Sequence, residues 1–473
     1  MTDPTPHYTR DLAEFLHAIG PKTLPTEVLD RARYFLLDYL AVAIRGSREE
    51  SSLAVQRMVE RAGANGPATV IGTGIRTIPA LAALANGAAA HAIEQDDTHS
   101  GGSIHLGATM YSAAFALAQK IPDTSLEVFL AAVVAGFEAA ARIAMAAQPK
   151  EQYVLGFHPT PVCGVFGAAV TSAKLLGLNA TQTLAAMGIA GSMAAGSMEF
   201  LAEGAWTKRI HPGLAAQGGI HAALLAAEGF EAPTRILEGR DGFLHAYSQK
   251  PIPERLTVGL GETYEILRTA VKPHACCRYM QGPIDGVLAL VEENNLQPAE
   301  IRRVEVAVLE AGWSIIADPP AQKYHPENVV DAQFSMPFGA AVAAIERAAG
   351  LDQFTLEKIR SPRIRDFMGK IVMIKDRRIE TNFPAEWPAR VEIELEDGRR
   401  LERFIRYPKG DPENPLTWDE MCAKFRSLAG AVLSRGRCDE IIAAASKSNP
   451  ADLAALCCQQ ESAHPPEKQV AVR

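Results

Sequence analysis

A mainly α-helical protein, with one large all-helical domain and a smaller α+β lid domain, is what the 473-residue sequence predicts. Three observations carry that prediction. Up to about residue 265 the chain is Ala-rich, with apolar residues recurring at helical spacing; beyond about residue 268 alternating segments and a turn signature appear; and from Trp418 helical periodicity returns. The domains are accordingly expected at 1–268, completed by about 412–460, and at 269–411, with 461–473 as a polar, proline-containing tail.

In chain order, Pro25-Thr26-Glu27 opens a helix whose Val28, Ala32, Phe35, Leu36, Tyr39 and Ala43 share one face, and Gly46 stops it. Thr124-Ser125-Leu126-Glu127 and Asn179-Ala180-Thr181-Gln182 both have the form of a capping box. The apolar stretch from Val128 to Ala147 is interrupted by Glu138 and Arg142, so it reads as a buried helix and not as a membrane span. Ala131, Ala132, Ala135 and Gly136 let neighbouring helices approach closely. Further on, Val304, Val306 and Val308 alternate with polar residues, and Val391–Leu395 runs through Asp397-Gly398 into Leu401–Ile405, a hairpin signature. Helices are expected over Asp331–Ala348 and Thr355–Lys370, and the segment with Phe425, Leu428 and Val432 is expected to rejoin the first domain.

Charge and cysteine usage narrow the function classes. Lys and Arg number 47 against 55 Asp and Glu, a net charge of −8 with no basic run, which excludes the concentrated positive face needed for nucleic acid or an anionic membrane. The seven cysteines form no regular framework, and the first residues contain no apolar signal core, so a reducing, cytoplasmic compartment is expected. Gly72-Thr73-Gly74 lacks the third glycine of a dinucleotide fingerprint, and no phosphate-binding loop is present. The adjacent pair Cys276-Cys277 has the wrong spacing for zinc, which leaves only the histidines as ligands for a metal, and no metal is expected.

Four segments concentrate groups capable of chemistry. The first is HAIEQDDTH, residues 91–99, followed by a glycine-rich loop and His105; Glu94 and Thr98 would share a face if the helix continued that far. The second holds His158, which Pro159 restricts to an extended conformation before a helix begins, near the positive end of that helix. The third, Trp206 to Gly213, embeds Lys208, Arg209 and His211 between Ala-rich stretches, where a cation needs a buried anion as complement. The fourth runs from Lys272 through His274, Cys276 and Cys277 to Arg278, at the junction of the two domains, where ligand sites form preferentially. Each also has an ordinary reading: a charged helix end, a structural histidine, a surface loop, a domain linker. Because the cations gather in these segments, the overall acidity does not count against an anionic substrate.

Taken together, HAIEQDDTH, GFHPTPVCGVFGAA, TSAKLLGLN, TKRIHPGLAAQGG, KPHACCRYMQGPID and DAQFSMPFGAAVA, in this order, resemble the blocks of the MmgE/PrpD family. The resemblance covers nearly the whole chain. It implies a helical domain with a smaller lid, a cleft site that takes a small di- or tricarboxylate, no cofactor, and a homodimer. Positions matching the family's site are Glu94, Thr98, His105, His158, Lys208 and Lys272, with Asp96, Asp97 and His99 in the same motif. In that light His158, His105, Lys208, Asp97 and Thr98 are the expected catalytic groups, and Glu94, Asp96, His99, Lys272, His274, Cys277 and Arg278 are expected to bind substrate. The expected reaction is proton abstraction beside a carboxylate followed by loss of water, as in 2-methylcitrate dehydratases; epimerisation, cis-aconitate-type decarboxylation and silent carboxylate binding are the alternatives. Cys277 and Phe338 stand where some decarboxylases of the family carry histidine and tyrosine, which counts against decarboxylation.

Overall fold

The computed structural model describes residues 6–121, 123–383 and 385–458, so the expected tail at 461–473 lies outside the described residues. The chain is mostly helical, with its longer strands confined to the second half. The helices that build the first domain are α1 (Thr26–Gly46), α2 (Pro79–His91), α3 (Gly107–Ala118), α4 (Leu126–Ala147), α5 (Pro159–Leu175), α6 (Ala180–Ala190) and α7 (Thr207–Ala227). Between α2 and α3 the two-residue strand β1 (Thr98–His99) pairs antiparallel with β2 (Thr269–Ala270).

Sequence accounts for most helix ends. α1 begins at Thr26 after Pro25 and ends at Gly46, and its expected core residues Val28, Ala32, Phe35, Leu36, Tyr39 and Ala43 are all buried. The Asn179 capping box forms in full: Asn179 Oδ1 accepts from Gln182 N at 2.9 Å, and Gln182 Oε1 accepts from Asn179 N at 3.1 Å. The other proposed box does not form. Ser125 caps α4 alone, accepting from Val128 N at 3.3 Å, while the Thr124 hydroxyl donates back to Ile121 O.

Small residues decide how tightly the helices pack. A Cβ on Gly87 of α2 would lie 2.6 Å from Gly213 Cα of α7, and one on Gly213 would overlap Leu84 O. The two backbones therefore touch, which only glycine permits. α4 is the one described helix long and apolar enough to cross a membrane, and 89% of its apolar window is buried inside the fold. Its two buried charges answer each other within the core: Arg142 Nε donates to Glu138 Oε2 at 3.0 Å, and other Arg142 donors reach the carbonyls of Val258 and Thr263.

The second region is α+β. Helix α8 (Arg278–Glu293) leads into a four-stranded sheet ordered β4-β3-β5-β6, where β3 is Ile301–Ala307, β4 Ile371–Ile374, β5 Ala389–Leu395 and β6 Arg400–Ile405. β3 and β4 are parallel; β5 runs antiparallel to β3 and to β6, and the β5–β6 turn carries Gly398 at φ +87°. Both helices expected here are broken. Asp331–Ala348 is two pieces, Val329–Gln333 and α9 (Met336–Glu346), because Ser335 starts a new cap before Pro337. Thr355–Lys370 is likewise interrupted at Ser361-Pro362, since proline cannot sit inside a helix without losing a hydrogen bond.

Two cores result. One spans Leu12 to Val271 and resumes from Leu416 to Cys457, so that α10 (Trp418–Ala429) packs on α1; the other unites Phe200 with Ala275 to Leu395. All seven cysteines are free, six of them buried.

The α2–α7 contact gives a direct test. Gly213→Ala should destabilise the protein by about 1–3 kcal/mol, the usual cost of overpacking, as read from urea unfolding. It should also lower activity more than an equally destabilising change remote from α7, because α7 carries Lys208.

Candidate active site

The site forms where α2 ends. After His91 the chain leaves the helix and Glu94 adopts φ +58°, a left-handed conformation uncommon for a residue with a Cβ and one that clusters at functional sites. Glu94 and Thr98 therefore come together through a loop, and not as i, i+4 neighbours on a helix as the spacing suggested. Pairing of Thr98 with Ala270 carries the incoming strand to Lys272, which is fully buried beside Glu94. From the opposite side, α7 delivers Lys208 inside a continuous helix; the loop reading of Trp206–Gly213 does not hold.

These segments meet in a buried ionic cluster. One oxygen of Glu94 pairs with Lys208 Nζ, and the other lies 3.4 Å from Lys272 Nζ, which is also 3.5 Å from Asp96 Oδ1. Two ammonium groups thus face two carboxylates in a region almost closed to water. Burial alone would push Glu94 up, but Lys208 and Lys272 outweigh it and hold the carboxyl below the ordinary range. Burial likewise works against Asp96, and the attractions of His105, His91 and Lys272 overcome it. Lys208 falls below the ordinary lysine value because it is buried, even with Glu94 as partner; its ammonium also lies 5.3 Å from the centre of the Phe334 ring.

Four imidazoles border the cluster. His91 Nδ1 is 2.7 Å from Asp96 Oδ2, and its Nε2 has no hydrogen-bond partner. His105 Nδ1 lies 2.9 Å from Asp97 O, 3.2 Å from Asp96 Oδ2 and 3.3 Å from Thr98 Oγ1, an environment that assigns the proton to Nδ1 and leaves Nε2 bare. His158 is the N-cap residue of α5, extended at φ −84° and ψ 115°, and its Nδ1 is 3.0 Å from His211 Nδ1. Burial holds all four below the ordinary imidazole value, His105 and His211 at about 4, so the rings are neutral near pH 7. Ligand nitrogens of His91, His105 and His158 lie within 4.8 Å of one another, close enough to consider a cation. The neighbouring Lys208 ammonium opposes one electrostatically, and no carboxylate oxygen belongs to that set.

The cavity beside this cluster is narrow, about 40 Å³, and is lined by Glu94, Thr98, His105, His158, Lys208, Cys277 and Arg278 among others. Met198, Phe200, Ile315 and Phe334 supply its apolar wall. Ser103, Tyr153 and Tyr279 stand where it meets a larger outer hollow that holds Lys150 and Arg255; Ser103 Oγ and Tyr153 OH are 2.8 Å apart. Tyr279 and Arg278 come from the second region, so both parts of the fold build the walls.

Several expected site residues stand elsewhere. Asp97 turns to the start of α3 and accepts from Gly107 N at 2.8 Å; burial, with Asp96 and Asp38 nearby, raises it well above the ordinary carboxylate range even though the helix-start amides act to lower it. His99 anchors its loop, at 3.0 Å from Glu265 Oε2 through Nε2 while Nδ1 accepts from Gly102 N. His274 is 2.9 Å from Asp285 within the second region. Asp96 and Lys272 are not among the residues lining the cavity and lie against its neighbours Glu94, His91 and His105. Arg278 lines the cavity but is already paired with Asp411 and packed near the Trp387 ring. Phe338 is buried in the second core against Phe354, at 5.5 Å between ring centres, and is not among the residues that line the cavity. Sequence reasoning assigned no role to His91, His211, Tyr153 or Tyr279. The first two lay inside quoted motifs and could have been weighed as partners of the chosen histidines; Tyr279 also lay inside one, next to Arg278, while Tyr153 is outside every quoted motif.

A cavity lined by buried acid–base groups, with walls from the helical part and from the smaller mixed part, is the arrangement of an enzyme. The chain belongs to the MmgE/PrpD family: residues 10–256 match the family's N-terminal domain and residues 274–448 its C-terminal domain. It is 30% identical over 466 residues to a cis-aconitate decarboxylase-like protein of Aspergillus oryzae, covering 93% of this chain and 95% of that one. It is 29% identical over 452 residues to the cis-aconitate decarboxylase of Aspergillus terreus, covering 92% and 91%. The human cis-aconitate decarboxylase is similar at 25% over 445 residues, covering 92% and 90%.

Two measurements follow from this geometry. Glu94→Gln strips the shared carboxylate from two buried ammonium groups and should destabilise the protein by about 3–5 kcal/mol at pH 7, as when one partner of a buried pair is removed. Because His105 is lowered to about 4 by burial, histidine-selective NMR should find its ring uncharged at pH 6 and half-protonated near pH 4.

Proposed function

We propose that the chain is a lyase for a short tri- or dicarboxylate, working through negative charge developed on a carbon beside a carboxylate, with decarboxylation of cis-aconitate as the first reading. Dehydration of a citrate-like hydroxy acid is the second. The observation that carries the class is the convergence of Lys208 and two imidazoles with tethered Nδ1 atoms, His105 and His158, on one cavity.

The two reactions ask for the same device. In dehydration a base removes the proton beside a carboxylate and a hydroxyl departs. In decarboxylation the bond to the departing carbon dioxide breaks, its electron pair moves through the double bond to the carbon beside a second carboxylate, and that carbon takes a proton. Either way, charge accumulates on a carboxylate in the transition state, where an ammonium in a water-poor site stabilises it most. Lys208 is suited to that task, and Lys272 supports it through Glu94. Since Glu94 already holds Lys208, an incoming carboxylate has to take over that ammonium, which makes Glu94 a competitor for the substrate's place. His105 and His158 exchange the proton with carbon, and Thr98 holds His105 from the side. Met198, Phe200, Ile315 and Phe334 suit the substrate's hydrocarbon part.

Decarboxylation is favoured over dehydration by the relatives named above, and Phe338, where a phenol had been weighed, is buried and does not line the cavity. Cys277, by contrast, does line the cavity, so a histidine there is a real difference between this chain and some decarboxylases.

Proton NMR in D2O with cis-aconitate, citrate, 2-methylcitrate, malate and imino-dicarboxylates separates the outcomes: deuterium in a product one carbon shorter for decarboxylation, an alkene for dehydration, exchange alone for epimerisation. The expected result is carbon dioxide release from cis-aconitate, retained in the presence of a chelator. His158→Ala should lower kcat by about 10²–10⁴-fold, the usual worth of a positioned acid–base group. Full turnover in His158→Ala or Lys208→Ala would remove the assignment.

A further inference from the structure

The His158–His211 contact has chemical content beyond a reading in which His158 merely exchanges a proton. Two neutral imidazoles facing each other through Nδ1 at 3.0 Å have room for one hydrogen between those atoms. Their Nε2 atoms are consequently in opposite states. If His158 donates through Nδ1, its Nε2 is a bare base and that of His211 carries hydrogen; if His211 donates, the reverse holds. Lys208 lines the same cavity as His158, and an ammonium there favours a bare nitrogen over a second N–H pointed at it.

We infer that His211 is a positioning residue for His158, accepting its Nδ1 proton and so presenting Nε2 to the substrate as the basic atom. This rests on the proposed proton chemistry but is specific to a residue that the chemistry has not used. The step balances. His158 Nε2 takes a proton from carbon or from water and becomes an imidazolium, its Nδ1 proton stays on His158 in the hydrogen bond to His211 Nδ1, and the same Nε2 proton is later returned.

The choice of an imidazole for this task has a physical reason. His105 is oriented by a carbonyl and by Asp96, which lends it negative charge. A second carboxylate behind His158 would bring more negative charge beside a substrate that already carries two or three. His211 gives the same orientation while neutral. Its place is fixed by α7, where it follows Lys208 by three residues on the same helix, so one element sets both the ammonium and the orienting ring. The edge of Phe200, 6.2 Å from both ring centres, closes the remaining side.

Two measurements on the full-length chain test the inference. In ¹⁵N-histidine-labelled protein, with signals assigned through H158Q and H211F, His158 should be protonated at Nδ1 and bare at Nε2. In H211F it should drift toward the Nε2–H form that free histidine prefers. Kinetics use cis-aconitate as the probe. H211F should lose about 10- to 100-fold in kcat with KM within about threefold, and H211N, whose amide oxygen can still accept the His158 proton, should recover most of the loss. An Nε2–H His158 in the wild-type protein overturns the proposal, as does an equal loss in H211F and H211N, or no loss in either. If no acid in the panel turns over, the proposed function fails while the NMR result still decides the role of His211.

Discussion

The structure turns on one carboxylate that must satisfy two buried ammonium groups. Glu94 meets Lys208 from α7 and Lys272 from the irregular segment after β2, so three segments distant in sequence are fastened at one point. Moving ions out of water is costly, and such a cluster survives only with close geometry and complete partnering. Those demands reach backward through the fold. Glu94 accepts a left-handed backbone to aim both oxygens, β1 pairs with β2 to bring Lys272 into range, and α7 lies against α2 closely enough for Lys208 to reach. The Gly87–Gly213 contact is thus part of the electrostatics as much as of the packing.

Around that cluster, the histidines differ in what orients them. His91 has Asp96, His105 has a carbonyl with Asp96 close by, and His158 has another imidazole. Neighbours, more than ring identity, decide which nitrogen is basic. Separating titratable groups by environment is how one cavity can hold both an acid and a base near neutral pH.

Much of this was visible in the chain, for reasons that are local. Helical spacing, proline and glycine at helix ends and the Asn179 capping box depend on residues close in sequence, and these appear where expected. The motif segments also delivered Glu94, Thr98, His105, His158, Lys208, Cys277 and Arg278 to one cavity. What could not be read depends on direction. Asp96, Asp97, Thr98 and His99 are consecutive, yet one faces the ions, one caps α3, one touches His105 and one anchors a loop. A run of polar residues in irregular backbone has no period to tell them apart. Tyr153 and Tyr279 were missed because they become neighbours only when the two parts of the fold meet. Phe338 misled in the opposite way: a position inferred from resemblance lay in a core.

The charge balance of the central cluster also governs how the protein responds to its medium. Two cations and two anions, nearly closed to water, present almost no net field for dissolved ions to screen, and mobile ions cannot enter among them. The exposed pairs between Arg400 and the carboxylates of Glu392 and Glu394 are different, because the arginine is open to solvent. At an ionic strength of 0.15 M, where screening acts over about 8 Å, such rim pairs fade while the interior does not change. The net charge of −8 is therefore a property that electrolytes can modulate at the surface, whereas the reactive interior carries its own counterions in covalent form.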